Sequence, residues 1–336
     1  MNCTRCLLPD TFPGVTFDPE GVCNQCQQFR GRKNRLPEDR QRYANRFSEL
    51  LKQINLPALR SRRSYDVLMA YSGGKDSTYT MQLLKRKHDL RVLAVSLDNA
   101  FVSPAARENI GRVTDVLGVD LLIFRPRWDL LRKVFSCAAE RELYPRKTLE
   151  RASTICTSCI GVVKAFCLRT AIEQEIPLIG YGWSPGQAPI QSSIMRTNPS
   201  FARTAQETLL APLRDAIGLE VEAWFLSERH FACAERFPHN VHPLAWEHYD
   251  EAQIFREIAT LGWVAPNDTD PNSSNCLLNA FANEVHMKRY GFHPYVWEIA
   301  NMVREGVMTR EEGLQKFAEV VPAQTVTAVR EKLGLT

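Results

Sequence analysis

The stretch Tyr71-Ser72-Gly73-Gly74-Lys75-Asp76-Ser77 decides the fold class of this chain. The apolar run 65–70 precedes it and the amphipathic run 78–85 follows it, so the order is strand, glycine turn, helix. Two glycines let the backbone close around an anion, and the helix aims free N–H groups and the positive end of its dipole at that anion. Hydroxyls and an ammonium group in the same stretch favour a polyphosphate. The alternative is an ordinary strand-to-helix turn, which would not require six specific residues in this context.

The sequence SGGKDS at 72–77 is not a Walker loop, which has the form G-x-x-x-x-G-K-[ST]. It resembles the signature of the PP-loop ATP pyrophosphatases. The resemblance implies that ATP binds here and is split between its α- and β-phosphates. Asp76 is the candidate ligand for Mg²⁺, and Lys75 would share the neutralisation of the leaving pyrophosphate. The residues expected to contact the nucleotide around the loop are Ala70, Ser72, Gly73, Gly74 and Ser77.

Apolar runs at 65–70, 91–98, 120–124 and 176–181 alternate with helical stretches such as 104–117. This order predicts an α/β fold with a parallel sheet flanked by helices, whose ligands lie at the carboxyl ends of the strands. The PP-loop resemblance implies the Rossmann-like sheet of adenine nucleotide alpha-hydrolases, with Leu97 and Asp98 near adenine and ribose. Asp98 could instead simply end a strand. Gly182 follows the fourth strand and would permit close approach of a ligand.

Four cysteines, Cys3, Cys6, Cys23 and Cys26, form two CxxC pairs with the spacing of a structural Zn²⁺ site. We expect a metal-closed β-hairpin that has little core of its own. Four unrelated buried thiols are the alternative. The predicted divisions of the chain are a zinc-ribbon module over 1–35, a linker helix over 36–62, a PP-loop ATP-binding domain over 63–235 and a mostly helical C-terminal region over 236–336.

A second CxxC, Cys156 and Cys159, opens a predicted helix that leads into the fourth strand. The segment resembles PP-loop sulfur-transfer enzymes such as the tRNA 2-thiocytidine and 2-thiouridine synthetases. That resemblance implies a [4Fe-4S] cluster held by three thiolates, with Cys276 as the third ligand. A persulfide or redox dithiol, structural cysteines and a second zinc site remain open. The histidines of 238–249 suit a loop and helix start with aromatic packing better than a metal site.

A second resemblance lies at the ends of the chain. Segments 9–23, 275–279, 291–295 and 304–313 are similar to the N-acetyl sugar amidotransferases of surface-polysaccharide synthesis.

Two enzyme hypotheses follow. In the favoured one, ATP adenylates a carbonyl or amide oxygen of the acceptor and sulfur replaces it, so a sulfurtransferase uses a cysteine trio. In the alternative, ammonia from a separate glutaminase is the nucleophile. A nucleotide-sensing scaffold is the non-enzymatic alternative.

Composition limits the partners. With 336 residues, 44% hydrophobic and 24% charged, the chain is typical of soluble globular proteins, and ten cysteines suit metal ligands in a reducing compartment. We find no signal peptide and no apolar run long enough to span a bilayer, so we expect a cytoplasmic enzyme without a membrane partner. A net charge of +4 does not demand nucleic acid. We expect a small-molecule or nucleotide acceptor and a sulfur donor protein; a tRNA acceptor and a homodimer are left open.

Overall fold

The computed structural model describes residues 1–318 and 322–335. Its strands are β1 Val67–Ala70, β2 Val92–Leu97, β3 Asp120–Phe124, β4 Leu178–Tyr181, β5 Ile194–Arg196 and β6 His239–Val241. They form one sheet in the order β3-β2-β1-β4-β6-β5, in which β5 pairs antiparallel with β6 and the other neighbours pair in parallel. The predicted α/β fold and its four predicted strands are confirmed.

Helices surround this sheet and fill the C-terminal part of the chain. They are α1 Asn24–Arg30, α2 Leu36–Ile54, α3 Pro57–Arg60, α4 Lys75–Gln82, α5 Pro104–Leu117, α6 Trp128–Glu140, α7 Thr154–Glu173, α8 Pro199–Ile217, α9 Glu228–Phe231, α10 Glu251–Ala259, α11 Leu278–Tyr290, α12 Val296–Glu305, α13 Arg310–Ala318 and α14 Ala323–Leu333. Of the predicted helical C-terminal region, residues 319–321 and 336 lie outside the described part. The predicted helix over 104–117 is confirmed.

The sheet takes one strand from beyond residue 235, because β6 lies between β4 and β5. The expectation of a loop at this point was wrong. Strands of three residues are too short to show the alternation of apolar and polar side chains that marks a strand in sequence. The proposed domain boundary at 235 therefore divides the chain inside a continuous sheet.

Helix α7 is a long and largely buried helix beside the site. The hydroxyl of Ser153 caps it by accepting the N–H of Cys156, and apolar side chains cover most of its circumference. By length and composition α7 could cross a membrane, so the expectation that no segment is long and apolar enough was wrong. However, 61% of its most apolar window is buried inside the fold, as in the core helix of a water-soluble protein.

The N-terminal module packs on the C-terminal helices. The ring of Phe12 stacks on Trp297, with centroids 5.4 Å apart, and meets the edge of Phe292 at 5.1 Å. Isolated antiparallel bridges, Asn2 with Pro9 and Phe17 with Cys23, replace the expected hairpin. The short segment bends around the cysteines, which leaves no room for longer paired strands.

A buried carboxylate anchors the start of β1. Asp66 accepts hydrogen bonds from Arg91 Nη2 at 2.8 Å, Arg63 Nη2 at 3.1 Å and Arg60 Nη2 at 3.1 Å. Burial alone would raise the pKa of this carboxyl, but the arginines outweigh burial and lower it to about 2. The ionised form of Asp66 therefore ties β1 and β2 to the end of the linker helices.

We predict that Asp66→Asn lowers the free energy of unfolding by about 3 kcal/mol at pH 7, because it leaves arginines without their buried partner. The depressed pKa gives stability that is complete above the unfolded value and lost as pH falls through about 2. Urea denaturation should therefore show the gap between variant and wild type closing between pH 4 and pH 2. Asp129→Asn, which breaks an exposed pair with Arg127, is the control and should change little.

Candidate active site

The glycine loop turns sharply between β1 and α4. Gly73 has φ +77°, and a Cβ there would lie 2.7 Å from the carbonyl oxygen of Ala106. Trp263 Nε1 donates to the carbonyl oxygen of Gly73 at 2.8 Å and holds the turn in place. Gly74 caps α4 with an extended backbone and no side-chain cap. The first N–H groups of α4 are thus presented at the carboxyl end of β1, as the sequence predicted.

The two serines of the loop face each other at this helix start. Their Oγ atoms are 3.1 Å apart; Ser72 Oγ accepts the N–H of Gly74 at 3.3 Å, and Ser77 Oγ donates to the carbonyl of Gly74 at 2.9 Å. The N–H of Lys75 donates to Ser274 Oγ at 3.1 Å. The Ser274 hydroxyl thus stands where a phosphate oxygen could accept from the same N–H.

The charged residues of the loop, Lys75 and Asp76, line a different cavity from the one lined by its two serines. Lys75 Nζ donates to Tyr249 OH at 2.8 Å and to Asp76 Oδ1 at 2.9 Å, and it lies 3.2 Å from Glu251 Oε1. Burial lowers the pKa of Lys75, but these neighbours outweigh it and raise the pKa well above its ordinary value. Both Lys75 and Asp76 line a cavity of 490 Å³ next to the loop. Lys75 is therefore a fixed, compensated cation.

Gly182 follows the fourth strand, and its backbone packs against the start of α4. A Cβ on Gly182 would lie 2.3 Å from Ser77 Cα and 2.5 Å from Ser77 N. Any side chain would force one of the two backbones to move. Gly182 therefore allows these two backbone segments to pack closely, and it also lines a cavity at the ends of the strands.

A cavity of 270 Å³ opens at the carboxyl ends of β1, β2 and β4. Eight of the predicted site residues line this cavity, and each lies at or just after a strand end, in the glycine loop or in one of the two cysteine segments. They are Ala70, Ser72, Ser77, Leu97, Gly182, Cys156, Cys159 and Cys276. Asp98 is not among the lining residues of this described site. Its carboxylate instead accepts the N–H of Ala100 at 3.0 Å and lies 3.4 Å from Arg125 Nε, as in the alternative in which it ends a strand.

The three cysteines come together although Cys276 is distant in sequence. Asn99 Nδ2 lies 3.6 Å from Cys159 Sγ and 3.5 Å from Cys276 Sγ, so these sulfurs are at most about 7 Å apart. Asn279 Nδ2 donates to Cys156 Sγ at 3.6 Å. The segment that carries Cys276 is held by a bridge to Val102. Burial, together with the nearby Cys276, raises the pKa of Cys156 to about 11.

Spacing separates this trio from the N-terminal quartet. In the quartet all four Sγ atoms lie within 4.8 Å of one another, as one tetrahedral ion requires. Among residues 1–318 and 322–335, no other His, Cys, Asp and Glu side chains meet that criterion. The trio is therefore spread more widely than ligands of a single ion, which suits a larger group such as a cluster.

The quartet is closed and buried. Cys3 Sγ lies 3.9 Å from Cys26 Sγ, and Cys6 Sγ lies 3.5 Å from Cys23 Sγ. Arg304 Nη1 donates to Cys6 Sγ at 2.9 Å and supplies a positive charge that favours thiolate. Four sulfurs leave no open position for a substrate, so this donor set fits a structural Zn²⁺.

Sequence reasoning missed several cavity residues. Lys164 follows Cys156 and Ile160 at four-residue steps, so helical periodicity could have placed it on the same face of α7. Asn279 follows Cys276 by three residues at the start of α11. Tyr295 and Trp183 come from loops, where no periodic pattern marks a position in space.

The known proteins that resemble this chain are only distantly similar to it. No protein-family model matches it. An uncharacterized protein of Methanocaldococcus jannaschii is 22% identical over 335 residues, which cover 99% of each chain. The U34-tRNA thiolase NcsA from Methanococcus maripaludis, solved with its [4Fe-4S] cluster, is 16% identical with a TM-score of 0.37, covering 96% of this chain and 91% of that one. A predicted subunit of tRNA methyltransferase from Methanocaldococcus jannaschii is 15% identical with a TM-score of 0.33, covering 69% and 91%. These values assign no family or activity, so the functional argument rests on the site itself.

We predict that Gly182→Ala lowers the free energy of unfolding by about 2 kcal/mol and weakens ATP binding, because its Cβ would collide with the backbone of Ser77. Calorimetric titration and thermal melting would measure the two effects. The control is Gly111→Ala within α5, where an added Cβ meets nothing within 4 Å. That substitution should stabilise the protein by about 0.5–1 kcal/mol. Unchanged ATP binding in Gly182→Ala would contradict the assigned contact.

We predict that the wild-type protein holds Zn²⁺ in the quartet and that Cys23→Ser releases it and lowers the melting temperature. The reason is that a closed four-thiolate site contributes folding free energy. Metal analysis and thermal melting with and without a chelator would test this. Cys137→Ser on α6, outside both cysteine groups, should keep the zinc. Zinc retained in Cys23→Ser would show that these thiols are not the ligands.

Proposed function

We propose that this chain is an ATP-dependent enzyme of the PP-loop type that adenylates a carbonyl or amide oxygen of its acceptor and replaces that oxygen with sulfur. One observation carries the proposal. The serines of the glycine loop and the three cysteines Cys156, Cys159 and Cys276 line the same 270 Å³ cavity at the ends of the parallel strands. Nucleotide activation and sulfur chemistry would thus take place within one site.

The ATP half rests on the loop geometry. Ser72 and Ser77 bring hydroxyls to the helix start. The positive φ of Gly73 makes the turn after which the first N–H groups of α4 could receive a phosphate. Leu97 lies at the end of β2 on the cavity wall, where an adenine ring would find an apolar contact. Asp76 is the acidic group of the loop that would hold Mg²⁺, once the ion competes with Lys75 for its oxygen.

The reaction balances in two displacements. The acceptor oxygen attacks the α-phosphorus of ATP, the α–β phosphoanhydride bond breaks, and pyrophosphate leaves with the electron pair. Sulfide-level sulfur, HS⁻ from a sulfur donor, then adds to the acceptor carbon. AMP departs with the original oxygen, and the sulfur releases its proton to leave a C=S bond, so no oxidant or reductant is needed. The chain's own residues bind the pyrophosphate at Ser72 and Ser77 and hold the acceptor against the cysteines.

The cysteine trio fits a [4Fe-4S] cluster. Its three sulfurs come from two segments, lie further apart than ligands of one ion, and receive N–H donors from Asn99 and Asn279. Such donors stabilise thiolate sulfur around clusters. Burial raises the pKa of the Cys156 thiol to about 11, so a metal would have to displace its proton. When bound, the cluster would supply an iron with an open position for sulfur.

The nitrogen alternative finds less support in this cavity. An amidotransferase would draw ammonia from a separate glutaminase and would need no sulfur ligands beside its ATP. Three half-buried cysteines from distant segments would then have no chemical role. The cavity therefore favours sulfur as the incoming atom.

We predict that protein purified without oxygen contains iron and shows the broad visible absorption of an iron–sulfur cluster. Cys276→Ala and Cys156→Ala should each lose that iron, whereas Cys137→Ala should keep it. Ser72→Ala and Ser77→Ala should keep the iron but bind ATP at least about 10-fold more weakly, because each removes a phosphate donor.

Iron analysis, visible spectra and ATP titration separate the two halves of the proposal. A colourless, iron-free protein that still binds ATP and releases pyrophosphate with Cys156→Ala would favour the nitrogen chemistry. Failure of the wild type to bind ATP would remove the enzyme proposal altogether.

A further inference from the structure

We propose that a second cavity, of 350 Å³, on the neighbouring side of α7 is the acceptor site, and that the acceptor is a small molecule with a carboxylate or phosphate group. This inference rests on the proposed function, because it assigns the partner of the same reaction.

The second cavity adjoins the ATP and cysteine cavity. The two share a wall made of five residues, namely Cys156, Ile160, Lys164, Trp183 and Tyr295. A molecule bound in the second cavity would therefore lie beside Cys156 and next to the cavity proposed for the nucleotide. This is the arrangement that transfer between three bound groups requires.

A buried hydroxyl in this cavity lacks a partner. Thr157 is 7% exposed and lines the cavity, and its Oγ1 forms no hydrogen bond within residues 1–318 and 322–335. Buried hydroxyl groups are normally hydrogen-bonded, since an unmade bond is costly. A polar group of a ligand would satisfy this one.

The cavity also carries cations that the described parts of the chain do not neutralise. Lys164 Nζ lies 4.6 Å from the ring centroid of Trp183 and pairs with no described carboxylate. Burial lowers its pKa to about 8, which still leaves the ammonium mostly charged at neutral pH. Arg151, at the rim, lies 5.7 Å from the Trp297 ring and likewise has no described ion pair. Lys164 is half-buried, so its ammonium is partly desolvated, and an anionic ligand would provide the partner that it lacks.

The single acid of the cavity is already hydrogen-bonded. Glu298 accepts from Ser184 Oγ at 2.5 Å and from Gln187 Nε2 at 3.0 Å, and burial raises its pKa. It is therefore poorly placed to neutralise Lys164, and the cavity keeps a positive character. Lys75 cannot serve as the anion site, because its ammonium is compensated by Asp76 and Glu251.

The aromatic walls favour a small molecule over an extruded RNA base. Trp183 stacks on His242 at 4.2 Å and carries Lys164 on its ring, and Trp297 stacks on Phe12 at 5.4 Å. RNA recognition by stacking uses aromatic faces that are free to receive a base. These indoles are engaged with the protein and contribute walls instead.

Calorimetric titration with inorganic phosphate and, separately, with malonate tests this site and distinguishes phosphate from carboxylate recognition. The protein is first saturated with Mg²⁺ and the α,β-methylene analogue of ATP, which fills the glycine loop. We expect the wild type to bind at least one anion. Lys164→Met and Thr157→Val should each weaken binding at least about five-fold, because each removes one donor to the anion. Lys133→Met, an exposed lysine on α6, is the control and should bind normally.

Thr157→Val also separates a ligand role from a structural one. It removes a hydroxyl that has no partner in the ligand-free protein, so the melting temperature without anion should stay the same or rise. A lower melting temperature together with unchanged anion binding would make Thr157 structural and overturn the assignment. This variant remains informative if Lys164→Met does not fold.

The outcomes distinguish this proposal from the function on which it rests. If the ATP analogue binds but neither anion does, the acceptor site is wrong and the ATP chemistry stands. If the analogue itself does not bind, the proposed function fails first. Binding of a short single-stranded RNA that is lost in Lys164→Met, without binding of either anion, would replace the small molecule with RNA and also overturn the proposal.

Discussion

The contact between Gly182 and the start of α4 is the constraint on which the site depends. Strands β1 and β4 are parallel neighbours, so the segments that follow them leave the sheet at the same edge and compete for the same space. Glycine resolves this competition, since a Cβ would lie 2.3 Å from Ser77 Cα. Because the two backbones touch, the loop serines and the end of β4 become opposite sides of one narrow cavity.

Helix α7 divides the region beyond this contact into two compartments. Cys159 lines the cavity with the glycine loop, Thr157 lines the neighbouring one, and Cys156 and Lys164 line both. The two lysines near the site differ in charge balance. Lys75 is compensated by acidic neighbours, whereas Lys164 is half-buried and pairs with no described carboxylate. Electrostatics therefore assign Lys75 to holding the loop and leave Lys164 for a bound anion.

The N-terminal cysteines act on the same site through α12. Arg304 joins Cys6 to this helix, and Phe12 stacks on Trp297, which lies about two turns before Arg304 in the same helix. The same helix presents Glu298 to both large cavities. A metal in the quartet would thus hold a wall of the cavities in place. That is a structural role, in keeping with a closed four-thiolate shell.

The sequence alone predicted those features of the fold and site that depend on residues close together in the chain. Short-range spacing predicted the glycine loop, the strands β1 to β4, the helices α5 and α7 and the grouping of Cys3, Cys6, Cys23 and Cys26. Turns, periodicity and CxxC geometry are set within a few residues. Three-residue β5 and β6 are held by pairing with the rest of the sheet, so no local pattern marked them. Tertiary structure alone brought Cys276 to Cys156 and Cys159, left Lys164 without an acid and turned Asp98 away from the cavity. Those outcomes depend on distances between segments far apart in the chain, which packing around one close glycine contact decides.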